Sequence, residues 1–396
     1  TRSHPDKALP PGMISRESPA LEAATGLSRT GLFYRGTIIA SDPTVTTHAG
    51  RLRMFYTDLD HRTDRTVIAT ADSRDGRTWS TDWTRAGIRG LVISGRDDSW
   101  DQSVESAAIL RTPEEWRLYF SGYRQDTPLK GFPAALWLAT SQDGRTFTRV
   151  SDAPILEPTP GWYDNDAIYS PTVIPHAGGY VMIYVGHAYT DTSRIPFGGV
   201  YLLGATSPDG RTWTKIETPL ARPGDFDGWR RDGLAEPDLV RKGPDEFVLF
   251  YTGLGGEERA IGVAHGSHPL GPFRFGERPI LEAGRSGDPD EALVLAPSVR
   301  LEAGKMQMWY LAADRQGRLS IGLAEGETDR ILSYGLECGR VAQTRGCRPA
   351  APPYITRHTH RRDPADRRPA AGAAESGSPD DGACRRQGRR DFRFRY

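Results

Sequence analysis

The chain has 396 residues, of which 37% are hydrophobic, so it is long enough to bury a large core. Its 51 basic and 51 acidic residues cancel, which excludes the strong basic character typical of proteins that bind nucleic acids or membrane surfaces. No run of about 18 apolar residues occurs, so no membrane-spanning helix is predicted.

All of the cysteines lie outside the region that contains the predicted strands. Cys338, Cys347 and Cys384 all lie near the C-terminus, so the preceding residues contain no disulfide, thiol nucleophile or Cys/His metal site. The sequence does not begin with Met, and we expect either a removed signal peptide or a fragment. We expect a secreted or periplasmic monomer, with the cytoplasm as the alternative location.

The predicted elements follow one template of four short strands. Residues 1–30 are predicted to be a loosely ordered leader. After them, strand a is a short apolar run, strand b ends in an aromatic pair, strand c is small and apolar, and strand d follows an Asp-Gly turn. The b strands are predicted at 52–56, 116–120, 180–184, 247–251 and 306–310. Their c partners are predicted at 67–71, 136–140, 201–206, 261–264 and 319–324.

Five b strands predict an all-β protein, a five-bladed β-propeller of four-stranded antiparallel blades over residues 31–335. Residues 336–396 are rich in Arg, Pro and Ala and cannot bury enough surface to offset the cost of ordering. We expect this tail to be disordered or frameshifted.

One turn recurs along the chain. SRDGRTW at 73–79 returns as SQDGRTF at 141–147 and as SPDGRTW at 207–213, which indicates a copied supersecondary unit. We expect the Asp to accept backbone N–H groups, the Gly to take a positive φ, and the aromatic ring to pack between neighbouring sheets. The turn resembles the Asp box of sialidase-like propellers and is interpreted as structural. A fourth copy at 267–273 is degraded and a fifth is absent, so the last blade is expected to lack its outer strand or to borrow one from a segment such as 32–39.

The a strands carry the candidate site, because the innermost strands of a propeller converge on its axis. Aligned on their Pro-x-Val-like cores, they place one residue each in a common column: Asp42, Glu105, Ser170, Glu236 and Ala296. Three carboxylates in one ring repel one another and are not a folding requirement, whereas Ala296 suits folding alone. A water-filled channel lined with acids is the alternative interpretation.

Aromatic residues beside acids precede several a strands, a pattern that suits a sugar ring with an apolar face and a rim of hydroxyls. Packing between blades is the alternative for the tryptophans. The predicted substrate contacts are Trp100, Asp101, Glu105, Trp162, Asp164, Tyr169, Ser170, His187 and Arg231.

Over residues 31–335 the chain resembles the five-bladed glycoside hydrolases of family 43 and their relatives in families 32, 62 and 130. The resemblance implies a general base at Asp42, in SDPTV, and a general acid at Glu236, in AEPDL. It implies a third, pKa-tuning acid at Asp166 or, failing that, Asp164. The chain departs from the family pattern in having Ser170 at the aligned third position and no axial His in the fifth blade.

The resemblance implies hydrolysis of an arabinose-, xylose- or fructose-type oligo- or polysaccharide. Carboxyl groups about 6.5–9.5 Å apart would make the reaction inverting, and about 5–5.5 Å retaining. A family 130-like phosphorylase, with a phosphate pocket begun by Arg230 and Arg231, and a non-catalytic sugar-binding propeller are the alternatives. No cofactor is predicted, and the sequence does not support an axial calcium ion.

Overall fold

The computed structural model describes residues 18–125, 132–191, 193–195 and 198–336. All of them belong to one compact unit, Thr1–Pro352, and the second unit, Pro353–Tyr396, lies outside the described residues. The tail predicted at 336–396 therefore falls outside them except for its first residue. No helix in the described ranges has the length and apolar character needed to cross a membrane.

The elements follow in chain order. The first are helix α1 (Ser18–Thr25) and strands β1 (Ser28–Tyr34), β2 (Ser41–His48), β3 (Arg51–Asp60), β4 (Arg65–Ser73), β5 (Thr84–Arg85), β6 (Ile88–Arg89) and β7 (Leu91–Ile93). The next are β8 (Ser103–Arg111), β9 (Trp116–Tyr123), β10 (Ala134–Ser141), β11 (Thr148–Arg149), β12 (Ala167–His176), β13 (Gly179–Ala188), β14 (Gly199–Ser207) and β15 (Thr214–Lys215). The last are a 3-10 turn (Gly228–Arg230), β16 (Gly233–Gly243), β17 (Glu246–Gly255), β18 (Glu258–Gly266), β19 (Arg274–Phe275), β20 (Leu293–Glu302), β21 (Lys305–Ala313), β22 (Leu319–Glu327) and helix α2 (Thr328–Leu336).

These strands form antiparallel four-stranded sheets. Their orders are β2-β3-β4-β7, β16-β17-β18-β19 and β20-β21-β22-β1. An eight-stranded sheet contains β8 to β11 and β12 to β15, which are joined by a single parallel pair between Ala134 and Ala167. The described chain is nearly all β, and the arrangement is consistent with a β-propeller. Every predicted b and c strand lies inside an observed strand, which confirms those predictions.

The core lies between neighbouring sheets, because the long strands are apolar on both faces. In β3, Met54, Phe55 and Tyr56 are fully buried. Met54 and Tyr56 pack in one cluster with Trp309 of β21. Phe55 instead packs in a cluster with residues of β9. A strand buried on both faces reads as a continuous apolar run, as this one does.

The recurring turn behaves as predicted. Asp209 Oδ1 accepts the backbone N–H groups of Arg211 and Thr212, both at 2.8 Å, and Gly210 has φ 73°. The ring of Trp213 packs edge-on against Tyr119 of β9, with centroids 6.0 Å apart. The turns at 73–79 and 141–147 make the same backbone bonds. Trp79 and Phe147 pack edge-on against Trp309 of β21 and Phe55 of β3, each of which belongs to another sheet. The three turns are therefore structural.

The last sheet is completed by a strand from the N-terminal part of the described chain, which is one of the two expected alternatives. The segment named as an example was 32–39, and the observed strand β1, Ser28–Tyr34, overlaps it and pairs antiparallel with β22. Arg29 Nε on β1 lies 2.7 Å from the fully buried carboxylate of Asp290. The folded region thus begins upstream of the boundary predicted at residue 31.

Candidate functional site

Five strands, β2, β8, β12, β16 and β20, share one irregularity. The pairing of β2 with β3 jumps from Ser41–Thr57 to Thr44–Phe55, so two residues of β2 face one of β3, which is a β-bulge. The same jump occurs in the other four strands. The first bulged residue in each has a positive φ: Asp42 (48°), Ser106 (51°), Ser170 (48°), Glu236 (49°) and Ala296 (47°).

We call these five residues the bulge ring. Together with the residue that follows each of them, they line one cavity of about 40 Å³, so the five strands converge there. The predicted column was right at four positions and wrong at one, where Ser106 occupies the ring in place of Glu105. The strand β8 has Ala107 where all four of the other strands have Pro, so the sequence offered no marker for the bulge there.

Asp42 is nearly buried, with 8% of its surface exposed. Its Oδ2 accepts a hydrogen bond from Ser41 Oγ at 3.0 Å, while its buried Oδ1 finds no partner among the described residues. Burial raises the pKa of Asp42, and hydrogen bonds from Ser41 and Thr57 oppose that shift. An unpaired carboxylate oxygen in a ring that lines a cavity is placed to accept a proton from a bound molecule.

Two hydrogen bonds fix the carboxyl group of Glu236. Its Oε2 accepts hydrogen bonds from Thr252 Oγ1 at 2.7 Å and from the backbone N–H of Ala296 at 2.8 Å. Burial raises the pKa of Glu236 to about 7, with a further contribution from the charge of Asp42, while the two hydrogen bonds and the charge of Arg259 act the other way. A carboxyl group that keeps its proton near neutral pH has the property required of a general acid.

Glu105 joins the two ring acids from one position earlier in β8. Burial raises its pKa, followed by the charge of Asp42 and, more weakly, that of Glu236. Its Oε2 accepts a hydrogen bond from Tyr123 Oη at 3.0 Å. Asp42, Glu105 and Glu236, which we call the carboxylate cluster, therefore influence one another's protonation. Among the described residues, no group of three or more His, Cys, Asp or Glu is placed to hold a metal ion.

Asp166, the predicted third acid, is held by the residues that flank it and by the chain that follows β13. Its Oδ2 accepts the backbone N–H groups of Tyr189 and Thr190, and its Oδ1 accepts from Asn165 Nδ2 at 3.0 Å. Asp166 thus fixes the chain that follows β13 and is not joined by hydrogen bonds to the carboxylate cluster. The third acid that interacts with Asp42 and Glu236 is Glu105.

Asp101 and Asp164 were predicted to contact substrate, and both are fully buried. Asp101 pairs with Arg149 of β11 at 2.5 Å and with Arg96 at 3.0 Å. Asp164 pairs with Lys215 of β15 at 2.5 Å. Each acid pairs with a short strand of the eight-stranded sheet, β11 or β15, so both predictions are corrected to structural roles.

The remaining predicted substrate contacts fall into two groups. Ser170 belongs to the bulge ring. Tyr169 is buried within reach of the charge of Glu105, and the buried His187 packs against Tyr169. Trp162 packs edge-on against Tyr163, and Trp100 is 38% exposed. Neither tryptophan is placed in the carboxylate cluster, and their roles stay predictions.

The two arginines of the expected phosphate pocket differ in availability. Arg230 is buried, and its Nη1 donates to Tyr251 Oη at 3.1 Å and to the carbonyl of Gly276. It is therefore part of the core, which corrects the expectation for that residue. The side chain of Arg231 is 58% exposed and lies 3.5 Å from Asp232.

Sequence reasoning missed Ser106, Tyr123 and Arg259. Ser106 was missed because no proline follows it to mark the bulge in β8. A weak signal for Tyr123 exists, since it ends β9 as His187 nearly ends β13. Arg259 lies at the start of β18, on a different strand from Glu236, the acid whose pKa it affects, and no local pattern marks it.

No protein-family model matches the chain. Two curated relatives, both uncharacterised proteins from strains of Mycobacterium tuberculosis, are 28% identical to it over 184 residues. The match covers 45% of this chain and 57% of each relative, so the chain spans little more than half the length of the curated relatives.

Solved structures resemble the chain over most of its length. A β-1,2-mannobiose phosphorylase from Listeria innocua, in complex with β-1,2-mannobiose, has a TM-score of 0.60 and 14% identity, covering 78% of this chain and 99% of its own. An N-acetylgalactosamine deacetylase from F. plautii, in complex with blood group B trisaccharide, has a TM-score of 0.59 and 17% identity, covering 78% and 98%. A thermostable family-43 glycoside hydrolase has a TM-score of 0.56 and 12% identity, covering 74% and 91%.

At these identities the likeness shows the fold, and enzymes of different reaction types share it. The chain therefore shares its fold with a family-43 glycoside hydrolase and with a β-1,2-mannobiose phosphorylase.

Proposed function

We propose that the protein is a glycoside hydrolase built on a five-bladed β-propeller, with its active site at the carboxylate cluster. The observation that carries the proposal is the bulge ring: two of its five members are acids in strained backbone, one with an unpaired oxygen and one with a raised pKa. The convergence of five bulged strands on one cavity supports the blade count. Glycosidases use a pair of carboxyl groups in this way.

In the proposed reaction, Glu236 donates its proton to the glycosidic oxygen as the bond from that oxygen to the anomeric carbon breaks. A water molecule forms the new bond to that carbon, and its proton passes to Asp42 Oδ1. The charge of Asp42 helps to keep Glu236 protonated. We propose Glu105, whose pKa burial raises to about 8, in place of Asp166 as the third acid of the site. We propose an inverting outcome and a neutral arabinose-, xylose- or fructose-type substrate.

The test is hydrolysis of a panel of nitrophenyl arabinofuranoside, xylopyranoside and mannopyranoside, with sucrose added for fructose. Asp42→Asn and Glu236→Gln should each lower turnover by about 10²–10⁴-fold, the usual contribution of general acid–base catalysis. Asp238→Asn is the matched control, since it makes the same change two residues along β16. Unchanged turnover in either of the first two variants would refute the proposal.

A phosphorylase is the second candidate, favoured by the likeness to the mannobiose phosphorylase and by Arg259, whose charge reaches Glu236. It predicts that cleavage requires inorganic phosphate and releases a sugar 1-phosphate. Cleavage at full rate in phosphate-free buffer would exclude it.

A further inference from the structure

A continuous set of rings borders the carboxylate cluster on one side. We call Tyr123, Phe132, Tyr169, His187 and Tyr189 the aromatic wall. Tyr169 contacts Tyr123, Phe132 and His187 with ring centroids 6.1, 6.4 and 5.4 Å apart. His187 in turn contacts Phe132 at 5.6 Å and Tyr189 at 6.0 Å.

The wall runs from the cluster towards solvent. At its deep end, Tyr123 donates a hydrogen bond to Glu105, and the charge of Glu105 reaches Tyr169. At its outer end, Tyr189 is 51% exposed, one of few large apolar side chains in the described ranges that are so open. An aromatic surface that leads from solvent to paired acids suits the apolar face of a sugar ring.

His187 is the polar member of this wall, and it has an unsatisfied atom. Only 3% of its surface is exposed, and its buried Nδ1 finds no hydrogen-bond partner in the described part of the chain. Buried polar atoms in folded proteins are nearly always paired, so an atom left open in this way indicates a ligand or a trapped water.

Folding does not require histidine at this position. His187 pairs with Ala167 across β12 and β13, and the corresponding pairs in two later sheets are Gly233 with Leu254 and Leu293 with Ala313. Apolar residues therefore satisfy the same place in the strand. Burial lowers the pKa of His187 to about 4, against a weaker opposing effect of Asp166, so the ring is neutral at physiological pH.

We propose that the aromatic wall is the subsite for an uncharged sugar ring, one hydroxyl of which bonds to Nδ1 of His187. A hydroxyl both donates and accepts, so it fits either tautomer of the imidazole. An anionic sugar is disfavoured at the outer end, because among the described residues the charges that act on Tyr189 are those of Asp166 and Asp232 against that of Arg259. The inference deepens the proposed function and rests on it for the kind of ligand.

The test is equilibrium binding of D-xylose, L-arabinose, D-mannose, D-fructose and D-glucuronate to the full chain, which needs no turnover. At least one neutral sugar should bind, and glucuronate should bind more weakly. His187→Ala should weaken that binding about tenfold, which corresponds to about 1.4 kcal/mol. His187→Asn, whose amide can replace Nδ1, should stay within about threefold of wild type. In wild type, the Nδ1 resonance of ¹⁵N-labelled His187 should shift as the sugar is added.

Two further variants keep the test decisive. Tyr189→Ala, at the exposed end of the wall, should weaken binding even if His187→Ala fails to fold, while Leu32→Ala on the outer strand β1 should not. The inference is overturned if no neutral sugar binds, if glucuronate binds best, or if both wall variants bind as wild type does. Sugar binding with the expected variants but without hydrolysis of the aryl glycosides would leave the subsite intact and refute the proposed reaction.

Discussion

Asp42 and Glu236 have φ values of 48° and 49°, in a backbone region that residues other than glycine rarely adopt. Such residues cost on the order of 1–3 kcal/mol each and persist where the surrounding structure holds them. Here the bulge and the paired strands on either side hold them. The strain aims both carboxyl groups at the cavity, which a regular strand, with alternating side chains, would not do at these positions.

Replacing Asp42 with Gly should separate stability from activity. Gly accepts a positive φ without strain and removes a buried carboxylate, so the free energy of unfolding should rise by about 1 kcal/mol while turnover is lost. Ala296→Gly relieves the same strain at a ring position without chemistry, so turnover should survive there. Urea unfolding measures the stability of both variants, and the glycoside assay measures their turnover. A less stable Asp42→Gly protein would contradict this account of the bulge.

Asp238 gives a pH prediction. Burial raises its pKa to about 7, against a hydrogen bond from the backbone N–H of Val299. Because its folded-state pKa exceeds its usual value, its stabilising contribution is complete below that value and is lost as pH rises through about 7. Asp238→Asn keeps the acceptor oxygen, so its melting temperature should fall less than that of wild type between pH 5 and pH 8. Parallel curves for the two proteins would show that Asp238 does not titrate in this range.

At the scale of elements, each copy of the recurring turn packs its aromatic ring against a strand from another part of the chain. The Asp209 carboxylate accepts two backbone N–H groups and the hydroxyl of Ser207, and these bonds lower its pKa to about 2. Asp209→Ala should therefore reduce the free energy of unfolding by about 1–2 kcal/mol at neutral pH, since several partly exposed hydrogen bonds are lost. The effect should shrink as pH falls towards 2, where the wild-type carboxylate is itself protonated. Asp98→Ala, at an exposed acid, is the control and should change stability little.

The strands could be predicted because their aromatic and β-branched residues recur in a fixed order. The exact register of the strands could not be predicted. In β8 the bulge lacks its proline, so Glu105 was aligned with the ring although Ser106 occupies it. Asp101 and Asp164 looked like site residues because each follows an aromatic run, but their partners Arg149 and Lys215 lie about fifty residues onward in the chain. The residues adjacent in sequence do not indicate such long-range pairings.

The first and last parts of the described chain meet in one sheet. Strand β1 pairs with β22, and Ser298 Oγ of β20 accepts the backbone N–H of Val45 in β2 at 3.0 Å. The chain thereby joins its first four-stranded sheet to its last, which resembles the closure that propellers require to avoid open edges.

Arg29→Ala tests this closure. Its removal leaves Asp290 buried without its cation, which should cost about 3–5 kcal/mol. The double variant Arg29→Met with Asp290→Asn should recover much of the loss, because no isolated charge remains. Arg35→Ala, at an exposed arginine just beyond β1, should be near wild type. Equal losses in the single and double variants, measured by urea unfolding, would mean that the ion pair is not what holds β1.

The central claim is that Asp42 and Glu236 act together in one site. The most direct measurement is kcat/KM of wild type, Asp42→Asn, Glu236→Gln and the double variant on the best substrate of the glycoside panel. Groups that act as a unit are strongly non-additive, so the double variant should be scarcely slower than the slower single variant. Fully multiplicative losses, or full activity in either single variant, would contradict a shared catalytic site.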